Sequence, residues 1–232
     1  MKPVVGFVGV GAMGSPMIGH LLAAGYPLRV YSRTAASRAK LTALGASEAR
    51  SVAECVRGAD VVFSCISDDA ALREVRRHAE AVGVALYAGS WSICPTSKTF
   101  KKNWGTAEEH LRLGLRVAKT LGSPVFRVVL GSMDDRKTEG GIRARIADTV
   151  AVLKACRADA LAAGVKVAIE NHAGDMHSWE LLDLINAAGR DFVGANIDSG
   201  NAIWTLEDPM DVLETLGPVT LCSSLRDDMA WE

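Results

Sequence analysis

No stretch of this chain is apolar for the roughly 18 residues that a membrane-spanning helix needs. The early apolar run, residues 4–10, is interrupted by glycine and carries no cleavage pattern, so neither a span nor a secretion signal is expected. An excess of either charge is also lacking. Lys and Arg number 26 against 27 Asp and Glu, a net charge of -1, with the signs interspersed, which removes the electrostatic footprint of a nucleic-acid or anionic-membrane partner. No two cysteines stand in a CxxC pair. Cys55, Cys65, Cys94, Cys156 and Cys222 are odd in number and scattered, which suits reduced core thiols better than disulfides or a zinc site. There is no GxSxG nucleophile elbow and no linker rich in Pro, Gly or Ser. What remains is a soluble, cytoplasmic chain whose partners are small molecules, with the oligomeric state left open. Its 232 residues suffice for one α/β barrel or for two small domains.

The most informative stretch is residues 4–14, VVGFVGVGAMG. An apolar, β-branched run without alternation reads as a buried parallel strand. It leads into Gly9-Val10-Gly11-Ala12-Met13-Gly14 and then a helical pattern over residues 15–24. Strand, glycine turn and helix in that order form the frame in which GxGxxG binds a dinucleotide. The first glycine permits the turn, the second lets a pyrophosphate approach the backbone, and the third lets helix and strand pack closely. The phosphates then meet free N–H groups at the positive end of the helix. A purely structural glycine turn is the competing reading.

Residues 27–31 read as a second strand ending in Ser32-Arg33-Thr34. At this strand tip an acidic residue would accept from the ribose 2′-OH of NAD, whereas an arginine would neutralise a 2′-phosphate. None of these residues is acidic, so Arg33 points to NADP. Residues 35–44 read as a helix closed by Gly45. Ser51 can cap a short helix over 52–57, and residues 60–66 read as a third strand running into Ser67-Asp68-Asp69.

GFVGVGAMGSPM, the VYSRT step, the LGA turn and ADVVFSCISDDAALREV together resemble the N-terminal cofactor domain of the β-hydroxyacid dehydrogenases, the 3-hydroxyisobutyrate and glyoxylate reductase group. The resemblance covers residues 1–76. It implies cofactor-binding roles for Gly9, Gly11, Ala12, Met13, Gly14, Arg33, Thr34 and, less directly, Ser67. That family continues with a helical domain carrying a catalytic lysine, for which no matching segment is found, so no catalytic residue is assigned.

From residue 78 the pattern changes. Strands are expected over 84–90, 125–131, 165–170, 192–198 and 219–225, and helices over 107–121, 142–163, 178–188 and 209–216. Thr106 and Glu109 form a capping box, and 134–141 reads as a mobile polar loop. AGSWS, VAIENH, GDMHSW, ANIDSGN with EDP, and SSLRD resemble the xylose isomerase-like barrels of sugar isomerases and epimerases, in the order of that barrel's third to seventh strands. Glu170 and Asp198 end consecutive strands and make an oxygen-rich half-site for Mn²⁺ or Mg²⁺. The resemblance implies that a histidine and a further glutamate would complete it. Ser224 stands at the histidine position and the glutamate has no counterpart, so the metal site is incomplete. His172 and His177 read as hydrogen-bonded or solvated side chains, and Trp91, Trp104, Trp179 and Trp204 as a pocket wall or a barrel rim.

The expected fold is therefore α/β, in two segments, 1–77 and 78–232. Three strands of a Rossmann half plus five of a barrel equal the eight of a closed (βα)8 barrel, with residues 4–9 pairing beside 219–225. The alternative is an open doubly wound sheet, or a Rossmann lobe with an incomplete barrel. Functionally, the reading is a chimera, recombined in nature or by design, that binds NADP(H) or phosphate without a complete catalytic site. The enzymatic alternatives are an NADPH-dependent reductase of small hydroxy or aldehyde acids and a metal-dependent sugar isomerase.

Overall fold

The computed structural model describes residues 2–10, 14–64 and 69–224. Gly11, Ala12, Met13 and Ser67, assigned above to the cofactor, lie outside the described residues. The chain divides into two compact units, Met1–Val84 and Ala85–Glu232.

The first unit contains β1 (Val5–Val8), α1 (Gly14–Ala23), β2 (Leu28–Tyr31), α2 (Ala35–Thr42), β3 (Ser47–Glu48), α3 (Val52–Val56), β4 (Val61–Ser64) and α4 (Asp69–Ala81). Its strands form one parallel sheet in the order β3-β2-β1-β4. All four residues of β1 are buried, as an unalternating apolar strand should be when both faces of its sheet are covered. Phe7, Val5, Ile18, Leu28, Val30 and Leu41 pack on one side; Val8, Ala49, Val52 and Cys55 pack on the other. Ser51 caps α3 as expected, accepting from Glu54 N at 3.0 Å.

The second unit contains β5 (Ala88–Ser92), α5 (Ala107–Leu121), β6 (Val125–Val129), α6 (Gly141–Ala155), α7 (Arg157–Ala163), β7 (Lys166–Glu170), α8 (Ser178–Ala188), β8 (Val193–Asp198), α9 (Pro209–Leu216) and β9 (Thr220–Ser224). Its five strands are parallel and adjacent in chain order, the pattern of successive right-handed βα units. One apolar cluster runs through the unit, including Leu111, Leu115, Phe126, Val128, Leu153, Val167, Ile169, Leu181 and Leu184. The Thr106–Glu109 capping box is formed. No helix among the described residues is long and apolar enough to cross a membrane.

Several expectations are corrected. The α/β parallel architecture holds, but among the described residues the strands form a four-stranded and a five-stranded sheet and no closed barrel. The reason lies in β1. It pairs with β2 along one edge and with β4 along the other, so no edge is left for the pairing with residues 219–225 that closure required. The strand read over 60–66 is the fourth in chain order: the two-residue β3 lies beside β2, and β4 lies on the far side of β1. Residues 134–141 are not a mobile loop: Asp135 is fully buried and accepts from Ser97 Oγ at 2.9 Å, Ser132 N at 3.0 Å and Lys98 N at 3.1 Å. The helix expected over 142–163 breaks at Cys156, where Arg112 Nη2 draws off the carbonyl of Ala155 at 3.2 Å and Arg112 Nε binds Asp159 at 2.9 Å.

Candidate functional site

In the first unit the candidate site is built at the carboxyl ends of three level strands. Val8 stands opposite Tyr31 on one side and Ser64 on the other, so the three strands end level and Gly9 and Ser32 leave them side by side. The order β2-β1-β4 makes this a topological switch point, the place where open α/β sheets bind ligands. Gly9 takes a positive φ of 92°, which glycine alone adopts without strain, and its N–H is held by Tyr31 O at 2.9 Å. A Cβ on Gly14 would stand 2.4 Å from Gly9 O and 3.0 Å from the Phe7 ring. That position is therefore closed to any side chain, and α1 starts directly against the end of β1. Ser15 Oγ donates to Val10 O at 2.9 Å and ties the two ends of the turn together.

Arg33 and Thr34 lie at the tip of β2, both exposed. Thr34 precedes α2 in extended conformation. Arg38 braces the tip: it donates to Ser32 O and, at 2.6 Å, to Glu48 of β3. Arg38 was not singled out in the sequence, although its i+4 spacing from Thr34 sets it one turn into α2, within reach of the strand tip.

The second unit carries a cavity of about 570 Å³ lined by Gly89, Ser90, Trp91, Arg127, Glu170, His172, Asp198 and Ser224. It gathers the two carboxylates read as a half-site, the serine in the histidine position, and His172. His177, Trp104, Trp179 and Trp204 are not among its lining residues. Trp91 meets the His172 ring edge-on at 5.1 Å, while Trp104 lies against buried His110 at 4.9 Å. His172 Nδ1 is 2.7 Å from Gly131 O. A carbonyl only accepts, so Nδ1 carries the proton and a neutral ring keeps its lone pair on Nε2. Beneath it Asp175, wholly buried, accepts from the N–H groups of Met176 at 2.6 Å, Gly131 at 3.0 Å and His172 at 3.2 Å. Burial pushes its carboxyl up to about 7, against the pull of those donors.

The residue that changes this cavity is Arg127. Val129 of β6 is opposite Glu170 of β7, so Arg127, two residues earlier on the same face, is its diagonal neighbour. Its Nε and Nη2 both bear on Glu170 Oε2, and Nη1 donates to Ser90 O at 2.9 Å. Gly89, directly opposite in β5, has no side chain to obstruct it. Asn196 Nδ2 adds a donor to Oε2 at 3.1 Å and Asn201 Nδ2 one to Oε1 at 3.4 Å, leaving Glu170 98 % buried with both oxygens engaged. Asp198 accepts from Gly200 N at 3.1 Å, and Ser224 Oγ is 3.2 Å from Asn196 Nδ2. The donor set does not fit a divalent metal: one carboxylate is already satisfied by a guanidinium, and no cluster of three His, Cys, Asp or Glu side chains suited to a metal occurs among the described residues. A charged residue inside the apolar strand VFRVV was the signal that could have identified Arg127, since such a charge must be paired.

A family model for the NAD binding domain of 6-phosphogluconate dehydrogenase matches residues 4–133. The chain is 47% identical over 62 residues to an NAD-dependent L-serine dehydrogenase of Pseudomonas aeruginosa, covering 27% of this chain and 21% of that protein. It is 33% identical over 96 residues to a probable mitochondrial 3-hydroxyisobutyrate dehydrogenase-like protein of Arabidopsis thaliana, covering 41% of this chain and 32% of that protein. The chain thus spans less than a third of either relative. Among solved structures it resembles an L-ribulose 3-epimerase, at 13% identity and a TM-score of 0.58 over 97% of this chain and 70% of the other. It also resembles a xylose isomerase domain protein from Planctomyces limnophilus, at 14% identity and a TM-score of 0.53 over 96% and 72%. At such identities the likeness is one of fold. Both resemblances carried by the sequence motifs are thereby met.

Proposed function

We propose that this chain, which belongs to the family of the NAD binding domain of 6-phosphogluconate dehydrogenase, binds a nicotinamide dinucleotide at the switch point of its first unit and prefers NADP(H). The observation that carries the reading is the Gly9–Gly14 approach. The positive φ of Gly9 and the absence of room for a Cβ on Gly14 are the tight turn and the close helix–strand packing of the fingerprint, which set the start of α1 at the end of β1, where a pyrophosphate would meet backbone N–H groups. Gly11, Ala12 and Met13 would supply those groups. Arg33 would pair with a 2′-phosphate, with Thr34 beside it as a hydroxyl donor. When bound, the nicotinamide supplies hydride chemistry; the chain's own residues hold and orient it.

The presence of β4 beside β1 strengthens the reading, because the crevice between them is where the nicotinamide half of a dinucleotide lies in such sheets. The chain then joins a cofactor-binding unit to an epimerase-like sheet, and binding rather than turnover is its proposed activity. Urea unfolding with and without NADPH tests this. A ligand that binds only the folded state stabilises it by about 2.7 kcal/mol at a hundredfold excess over Kd. A rise in the circular-dichroism midpoint with NADPH supports the proposal, and no rise at saturating concentration overturns it. NADPH oxidation on adding small aldehyde acids would convert the binding protein into a reductase.

A further inference from the structure

We propose that Arg127 is the resident cation of the second unit's cavity, neutralising Glu170 where a divalent metal would otherwise do so, and that the cavity is metal-independent for that reason. Three observations carry this. The guanidinium bears on Glu170 through two N–H groups and is anchored from behind by Ser90 O at 2.9 Å. Asn196 and Asn201 occupy what remains of the Glu170 oxygens, so a metal would have to displace charge-assisted bonds to gain even its first ligand. The third position, Ser224, offers a neutral hydroxyl that already meets Asn196 at 3.2 Å, a poor ligand for any divalent ion.

The arrangement is built rather than incidental. Gly89 leaves the space that the Arg127 side chain crosses: a Cβ there would lie 3.2 Å from both Cβ and Cδ of Arg127. A guanidinium differs from a metal in what it offers a ligand. It presents N–H donors in a plane and accepts nothing, so a ligand in this cavity would meet the outer edge of Arg127 as donor and, on a neutral ring, the Nε2 of His172 as acceptor. Removing the guanidinium leaves a buried, unpaired carboxylate, which must take up a proton or another cation.

The test is Mn²⁺ binding to the full chain, followed by electron paramagnetic resonance, in the native protein, Arg127→Met, Arg127→Gln, and Arg127→Met combined with Glu170→Gln. The native protein is expected to leave the ion free. Arg127→Met is expected to bind it about tenfold tighter or more, the range over which supporting groups alter metal affinity, and the double variant to lose what was gained. Arg127→Gln also removes the charge but leaves a polar side chain in the strand; if Arg127→Met fails to fold, this variant must show the gain. Stoichiometric Mn²⁺ binding by the native protein that depends on Glu170 overturns the proposal. So does a folded variant, judged by circular dichroism and tryptophan fluorescence, that binds the ion no better than the native chain.

Discussion

Gly14 sits so close to Gly9 that a Cβ on the first would stand 2.4 Å from the carbonyl oxygen of the second. The atom in the way is backbone, which cannot swing aside like the end of a side chain. Gly14→Ala must therefore push α1 off β1 or distort the turn, at a cost of about 1–3 kcal/mol, the range for overpacked sites. Urea unfolding followed by far-ultraviolet circular dichroism should show an earlier loss of the first unit, and a titration with NADPH should show binding lost along with it. An unchanged midpoint would mean that the helix has slack the distances do not show.

Arg33 stands at the tip of β2 with no carboxylate among Ser32, Arg33 and Thr34. Arg33→Ala is expected to weaken NADPH binding by about tenfold, equivalent to 1.4 kcal/mol, and to leave NADH binding nearly unchanged, because only the former carries a 2′-phosphate. Parallel fluorescence titrations with the two cofactors check this. Equal losses for both would remove Arg33 from cofactor choice.

Gly114 of α5 lies under the Phe126 ring of β6; a Cβ would come within 2.1 Å of two ring carbons. Gly114→Ala should destabilise the second unit by about 1–3 kcal/mol or more, since Phe126 is 97 % buried with little room to turn. Trp91, Trp104, Trp179, Trp204 and Trp231 all lie beyond residue 84, so the change should be read by tryptophan fluorescence. Gly14→Ala provides the comparison, and reversal of the two effects would contradict the packing described.

Asp175 titrates near 7 in the folded protein because burial disfavours its charge, whereas in the unfolded chain it titrates near 3.9. Between these values the folded state holds a proton that the unfolded state has released. The stability it contributes is thus fully present below about pH 4 and is lost as pH rises through about 7, at no more than about 1.4 kcal/mol per pH unit. Asp175→Asn should flatten that part of the profile of unfolding midpoint against pH. An identical slope in both proteins would place the proton elsewhere.

The glycine turn was legible because its constraints are local: a positive φ at Gly9 and a close approach at Gly14 demand particular residues at particular spacings. The pairing partners of β1 were not. Residues 47–48 are too few to show a period, yet as β3 they take the place beside β2 and leave β4 to flank β1. The carboxylates Glu170 and Asp198 were found because strand ends carry chemistry in parallel α/β folds, and both do line one cavity. What neutralises Glu170 was missed: the charge inside the apolar strand VFRVV says that Arg127 must be paired, but not that its partner is the diagonal neighbour on the adjoining strand, 43 residues on. Asp135 was missed for a related reason. Its polar neighbours over 134–141 suggested a mobile loop, whereas the Ser97 hydroxyl and backbone N–H groups from Lys98 and Ser132 enclose it.

The central place of β1 also bears on exchange with solvent. A strand paired along both edges and buried on both faces opens only when the sheet itself opens, so its amides belong to the most slowly exchanging class in their unit. Among the described residues β4 is paired along one edge only, as is the two-residue β3, and neither shares that protection. The glycine turn is thus anchored at one end in backbone that deuterium reaches last.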